Sequence, residues 1–297
     1  MSRESKKYIV TGGAGFIGSH LVDALIARGD SVFVIDNLSS GSRSNVNPKA
    51  ELIEGDVRDA LFIQKIVADK KPDRIFHMAA IVSVQFSIEH PEETFEINVT
   101  GTKNVYEAAG NIRVVFSSSS AVYGDVTAEA ISENAPLNPK SPYGEHKKIG
   151  EQYATVSLRY FNVYGPRQRG DSAYAGVIAR FLEMNKSSKP LTVFGDGLQT
   201  RDFVHVSDVV AANIAAMDAV TVSGEAINIG SGIATSVQQI AEIFAEKSSL
   251  GPHAIQYLPP RIEPKNSLAN ISKAHKLLGW SPKVALKEGI ALLRDMH

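Results

Sequence analysis

A chain of 297 residues, 43% hydrophobic and 21% charged, can bury a sizeable core as one large domain or two coupled lobes, which argues against disorder. The formal net charge of −1 gives no electrostatic reason to expect nucleic acid or an anionic membrane as partner. There is no cysteine, which excludes disulfides, thiolate catalysis and cysteine-based zinc sites and fits a reducing compartment.

The β-branched run Lys7–Thr11 predicts a strand that ends at Gly12. An amphipathic stretch from Ala14 to Arg28 predicts a helix closed by Gly29, and Ser31–Ile35 predicts a second strand ending at Asp36. This is a βαβ unit. The alternation continues, with strands expected near Glu51–Ile53, Arg74–His77, Arg113–Phe116 and Val156–Tyr160. Helices are expected near Ala60–Lys70, Thr94–Ala109 and Tyr143–Ala154. Such a series implies an α/β fold: a doubly wound parallel sheet, with ligands at the carboxyl ends of its strands. From Asn162 onward, prolines at 166, 190, 252, 259, 260, 264 and 282 break the chain into shorter elements, as in a smaller capping lobe. The expected division is a dinucleotide-binding domain over 1–161, with 203–219 packing back onto it, and a second lobe over 162–202 and 220–297. The polar start Met1–Lys7 shows no secretory signal and no apolar run is long enough to span a membrane, so a cytoplasmic protein is expected.

The loop Thr11-Gly12-Gly13-Ala14-Gly15-Phe16-Ile17-Gly18 sets glycines at 12, 15 and 18 between a strand and a helix. Missing Cβ atoms let the backbone approach a phosphate, and a helix start offers N–H groups and a positive dipole end to it. Asp36, at the end of the next strand, is placed to accept hydrogen bonds from adenosine ribose hydroxyls and would repel a 2′-phosphate. The expected cofactor is therefore NAD rather than NADP. Asp56 and Val57 follow the third strand; a turn aspartate is one reading of Asp56, an adenine contact the other.

Tyr143 and Lys147 are four residues apart on a predicted helix, so they share one face. A nearby ammonium and a cationic nicotinamide ring would lower a phenol from its usual value near 10 and make it a general base. Ser119, past the fifth strand, can hydrogen-bond a reacting hydroxyl. The histidines have no metal-ligand spacing, His20 and His77 read as structural, and no metal is expected.

With these residues in place the chain resembles the extended short-chain dehydrogenase/reductase family, in its nucleotide-sugar epimerase branch. The resemblance runs almost end to end and includes Thr11–His20, 36–41, 77–80, Asn98, Ser117–Gly124, Ser141–Lys147, Leu158–Pro166, Phe194–Asp208 and 228–230. It implies a catalytic triad of Ser119, Tyr143 and Lys147, with Asn98 supporting the site. It implies that Gly12, Gly15, Phe16, Ile17, Gly18, Asp36, Asn37, Ser39, Gly41, Asp56, Val57 and Ala79 hold NAD, with Asn98, Tyr143 and Lys147 also on the cofactor side. On the sugar-nucleotide side it implies Asn162, Arg201 and Arg261 at the diphosphate, Phe194 near the uracil and Ser267 beside the hexose. Arginine suits a diphosphate because its guanidinium pairs as a bidentate fork. Surface or core packing is the competing reading for each arginine and for Phe194.

The implied function is a UDP-glucose/UDP-galactose 4-epimerase acting by transient oxidation at C4 and re-reduction on the other face. Dehydratases of the family carry an acidic pair after the catalytic hydroxyl residue; here Ser120 and Ala121 follow Ser119, which excludes that chemistry. Ser267 stands where a tyrosine would exclude an N-acetyl group, so UDP-N-acetylglucosamine is the alternative substrate. A non-catalytic dinucleotide sensor is a further alternative, disfavoured by the intact triad. The resemblance also implies a homodimer through the helices near Thr94–Ala109 and Tyr143–Ala154. Relative to the family the chain is short between Ala154 and Thr155. Smaller shortfalls fall near Gly110, Val220 and Gly251 and between Ile262 and Glu263.

Overall fold

A computed structural model describes residues 4–126, 129–170, 176–246, 250–260 and 266–295. The first half runs β1 (Lys7–Thr11), α1 (Phe16–Ala27), β2 (Ser31–Asp36), β3 (Glu51–Glu54), α2 (Ala60–Lys70) and β4 (Arg74–His77). There follow α3 (Val84–Glu89), α4 (Pro91–Phe95), a π-helical turn (Glu96–Thr100), α5 (Gly101–Ala109), β5 (Arg113–Ser119), α6 (Pro142–Glu151) and β6 (Val156–Tyr160). Then come β7 (Asn162–Tyr164), α7 (Val177–Lys186), β8 (Leu191–Phe194), β9 (Thr200–His205), α8 (Val206–Asp218) and β10 (Glu225–Ile229). The chain closes with β11 (Ala234–Ser236), α9 (Val237–Ala245), β12 (Ile255–Leu258), β13 (Asn266–Ser267), α10 (Ser272–Leu278) and α11 (Leu286–Asp295).

The main sheet has seven parallel strands in the order β10-β6-β5-β4-β1-β2-β3. The order reverses between β1 and β4, and a crevice at that switch point is where such sheets bind ligands. The central strands β1, β4, β5 and β6 are buried on both faces, as helix-covered parallel strands must be, while the edge strand β3 has no fully buried residue. One face packs Leu21, Leu25, Val209 and Ala216 against Val10, Val34 and Val115. The other packs Ile63, Val67 and Val105 against Ile9, Ile35 and Val114. A separate apolar core, including Phe181, Val193, Ile240, Phe244 and Ile290, gathers α7, α9, α11, β8 and β9. Around β9 lie β7, β11 and β13, while β8 pairs with β12.

Three expectations about elements change. The helix expected over Thr94–Ala109 is α4, a π turn and α5 in succession, because one extra residue is fitted into the turn that carries Asn98. The helix expected to reach Ala154 stops at Glu151; the short join before β6 is absorbed by the helix, since β6 must keep its pairing with β5 and β10. The stretch 220–297 does not lie wholly in the second lobe. β10 is the edge strand of the main sheet with Ile227 and Ile229 fully buried, and α10 packs behind it. Within 203–219, α8 packs on α1 and β5, whereas Phe203–His205 run in β9. The short joins near Gly110 and Val220 fall in connections, Gly251 opens a 3-10 turn, and the join at Ile262 lies outside the described residues.

Candidate active site

A cleft of ≈ 750 Å³ opens at the carboxyl ends of β1, β2, β4 and β5. Every residue expected to hold the cofactor lines it, apart from Asn98, Tyr143 and Lys147. Gly12 has φ +68°, and a Cβ there would stand 2.7 Å from the Ala79 nitrogen, so glycine alone lets β1 and β4 close up at the switch point. Gly15 is the N-cap of α1 and offers no side-chain cap, which leaves first-turn N–H groups on the cleft wall. These features fit a dinucleotide: a bare helix start for the pyrophosphate, and carboxylates beyond it.

Asp36 does more than line the cleft. Its Oδ2 accepts from the Ala14 amide at 2.9 Å and its Oδ1 from the Leu38 amide at 2.8 Å, so it also pins the glycine loop. Asp56 accepts from Arg58 Nε and Nη2 at 3.0 and 2.7 Å and from Asn37 Nδ2 at 3.0 Å. The Arg58 guanidinium beside it holds its carboxyl down at about 2. His77 is fully buried between Thr11 and Thr102, at 2.7 and 2.9 Å, and burial pushes it down to about 3; it is a neutral structural residue.

Ser119, Tyr143 and Lys147 come together where β5 meets α6. Ser141 caps α6 through the Gly144 amide, with Pro142 in the first turn. Gly150 lets the helix sit on the sheet, since a Cβ there would stand 2.5 Å from the Phe116 ring. The Ser119 side chain faces the Tyr143 phenol and favours its ionised form. Lys147 donates to the Ser117 carbonyl at 2.6 Å, its Nζ lying 5.9 Å from the Tyr143 ring centroid and 4.9 Å from that of Phe116. Both are buried, with Lys147 only 2% exposed. Burial brings Lys147 down to about 7, with Glu151 opposing. The lowering expected for Tyr143 does not occur in the protein by itself. Burial raises the phenol, and Ser119 only partly counters it. Asn98, on the π turn, accepts from the Ile81 amide at 2.8 Å and donates to the Ile81 carbonyl at 2.9 Å, fixing a cleft-wall segment.

The substrate-side candidates lie around β9. Arg201 stands opposite Ser267 in the β9–β13 pairing, and Asn162 donates to the Asp202 carbonyl at 3.2 Å. Phe194 ends β8, half-buried. Arg261 lies outside the described residues. Two features escaped the sequence reading. Asp202, fully buried, accepts from the Ser231 amide and hydroxyl at 2.5 and 2.7 Å, Gly232 at 2.9 Å and Ala269 at 3.1 Å. Ser117, which lines the cleft and anchors Lys147, is the other. Both fall within stretches that carry the family resemblance, Phe194–Asp208 and Ser117–Gly124, but neither stood out there as a site residue.

Fold and site together define a doubly wound dinucleotide-binding enzyme with a buried Tyr–Lys pair. Residues 8–230 match the family described as NAD dependent epimerase/dehydratase, and the chain belongs to that family. It is an NAD-dependent enzyme of the epimerase type. A UDP-glucose 4-epimerase of Mycolicibacterium smegmatis is 39% identical over 95% of this chain and 96% of its own length. The crystal structure of a UDP-glucose 4-epimerase with UDP-glucose from Thermotoga maritima superposes with a TM-score of 0.90 at 37% identity, covering 97% of both chains. A UDP-N-acetylglucosamine 4-epimerase of Methanobrevibacter ruminantium, in complex with UDP-N-acetylmuramic acid, gives 0.90 at 34%, covering 99% of this chain and 100% of its own. A UDP-N-acetyl-alpha-D-glucosaminuronate decarboxylase of Bacillus cytotoxicus is also 34% identical, over 98% of this chain and 99% of its own. Among the described residues no helix is long and apolar enough to cross a membrane.

Proposed function

We propose that the protein is a UDP-glucose/UDP-galactose 4-epimerase with Ser119, Tyr143 and Lys147 as its catalytic residues. The observation that carries this reading is the buried Tyr143–Ser119–Lys147 cluster beside a cleft lined by the glycine loop and Asp36. Bound NAD supplies reversible two-electron oxidation of an alcohol carbon, and its cationic ring favours the Tyr143 phenolate. Gly12, Gly15, Phe16, Ile17 and Gly18 would hold its pyrophosphate, and Asp36, Asn37, Ser39, Gly41, Asp56 and Val57 its adenosine half.

Tyr143 takes the proton of the C4 hydroxyl and returns it after the keto sugar has turned over. Ser119, facing the same phenol, orients the sugar oxygen. Lys147, held by the Ser117 carbonyl, keeps a positive charge at the phenolate and excludes water from that side. No acid follows Ser119, so nothing next to it can assist loss of a ring substituent. Asn162, Arg201 and Arg261 take the diphosphate, and Phe194 the uracil. We assign the NAD half to 4–161, α8 and β10, and the sugar half to the segments around β9.

A second reading, UDP-N-acetylglucosamine/UDP-N-acetylgalactosamine as substrates, is favoured by the small side chain of Ser267, half-buried opposite Arg201. A panel of UDP-hexoses, with the C4 epimers separated after incubation, tests both: conversion of the plain pair supports the first, conversion of the N-acetylated pair the second, and conversion of neither contradicts the epimerase assignment.

A further inference from the structure

The candidate catalytic groups sit on β5 and α6, and one carboxylate ties those two elements to a third. Glu151 is the last residue of α6, four beyond Lys147, so their Cβ atoms are neighbours about 5–6 Å apart. Its Oε1 accepts from Ser118 Oγ at 2.6 Å and from Arg159 Nε at 2.8 Å; its Oε2 accepts from Arg159 Nη2 at 2.7 Å. The side chains of Arg159 and Glu151 are 5% and 10% exposed. Arg159, on β6, also donates to the Tyr123 hydroxyl at 2.9 Å, which donates to Asn228 on β10 at 2.6 Å.

A buried ion pair is a poor source of stability, because desolvation offsets much of the attraction. Its location offers another use. The carboxylate touches Ser118, the neighbour of Ser119, and stands one helical turn from Lys147. The groups around the Lys147 ammonium are Tyr143, His146 and Glu151 on its own helix and the Ser117 carbonyl and Phe116 ring on β5. His77 on β4 faces it too, neutral through burial, and Arg159 on β6 is neutralised against Glu151. Glu151 is the anion of that set.

We propose that Glu151 is a positioning residue: its carboxylate locks the Ser118–Ser119 strand end to the helix bearing Tyr143 and sets an anion one helical turn from Lys147. This rests on the reading of Tyr143 as base and Lys147 as its cationic partner. Burial lowers Lys147 and Glu151 opposes that lowering, so loss of the carboxylate should lower the lysine further.

The test is the isosteric variant E151Q, read by the pH dependence of kcat. The alkaline limb, set by Lys147 losing its proton, should move down by about one pH unit, with KM within about twofold. A second readout needs no turnover. The near-ultraviolet phenolate signal of Tyr143, taken as the difference from Y143F, should shrink near neutral pH. The double variant E151Q/R159M removes both charges of the pair and should show a smaller shift in the same direction where the single one does not fold. A folded variant with the wild-type limb and the wild-type phenolate signal overturns the proposal. Wild-type turnover in Y143F would instead sink the underlying catalytic reading, whatever E151Q does.

Discussion

Tyr143 gives the sharpest expectation for a single residue. Removing its phenolic oxygen in Y143F leaves the helix, the glycine loop and Asp36 untouched, so the variant should still bind NAD. Turnover should fall by about 10²–10⁴-fold, the usual contribution of a positioned general base. Steady-state rates beside a cofactor-content assay check this, and near-normal activity would remove Tyr143 from its role. Ser267 makes a prediction of selectivity. S267Y should abolish N-acetylated turnover and spare the plain hexoses, because filling a packed pocket costs about 1–3 kcal/mol where no space remains. Equal loss of both activities, measured as kcat/KM on each pair, would show that position 267 is no gate. The glycine loop, Asp36, Tyr143 and Lys147 were legible from spacing and order, with glycines at a helix start, an acid after the next strand, and Tyr and Lys on one helical face, whereas Ser267 was named only through the family resemblance. Asp202 and the Glu151–Arg159 pair were not. Their partners lie on other elements, at Ser231 and Ala269 for the one and Ser118 for the other, and no local pattern announces a long-range hydrogen bond.

The elements read best where one periodicity rules. β1, α2, β4 and β6 fall where the β-branched runs and the amphipathic stretch put them. The π turn at Glu96–Thr100 was illegible because its extra residue exists to aim Asn98 at Ile81, a tertiary demand. The early end of α6 reflects competition between a helix and a strand for the same short join. The sheet wins because β6 pairs on both sides. This region also bears on association. Phe95 in α4 and Tyr153 just past α6 are each 41% exposed, and Phe95 packs edge-on against His146 of α6. We infer that these helices meet their copies in a homodimer. The double variant F95E/Y153E should then halve the solution mass in light scattering while retaining the fold; a wild-type monomer at the same concentration contradicts the inference.

At the scale of the molecule, four histidines are set in places that resist a proton. Burial lowers His77 to about 3 and also lowers His20, His146 and His205. The unfolded chain takes up protons near the ordinary value of about 6.5, and the folded one does not. The stability these groups contribute is therefore complete above about pH 6.5 and is lost as pH falls below it, in the case of His77 down toward about 3. His77 alone should cost about 1.4 kcal/mol per pH unit in that window. Urea unfolding about one pH unit either side of 6.5 reads this, and equal stability at the two values would contradict it. Function at this scale joins the seven-stranded sheet, with the cleft at its switch point, to the strands around β9. The most direct measurement is to incubate the purified protein with UDP-galactose while following both the sugar and the near-ultraviolet absorbance of reduced cofactor. UDP-glucose should form to equilibrium with no net NADH, since oxidation and reduction occur within one turnover. Stoichiometric accumulation of NADH with a released keto sugar would contradict it and make the protein an ordinary dehydrogenase.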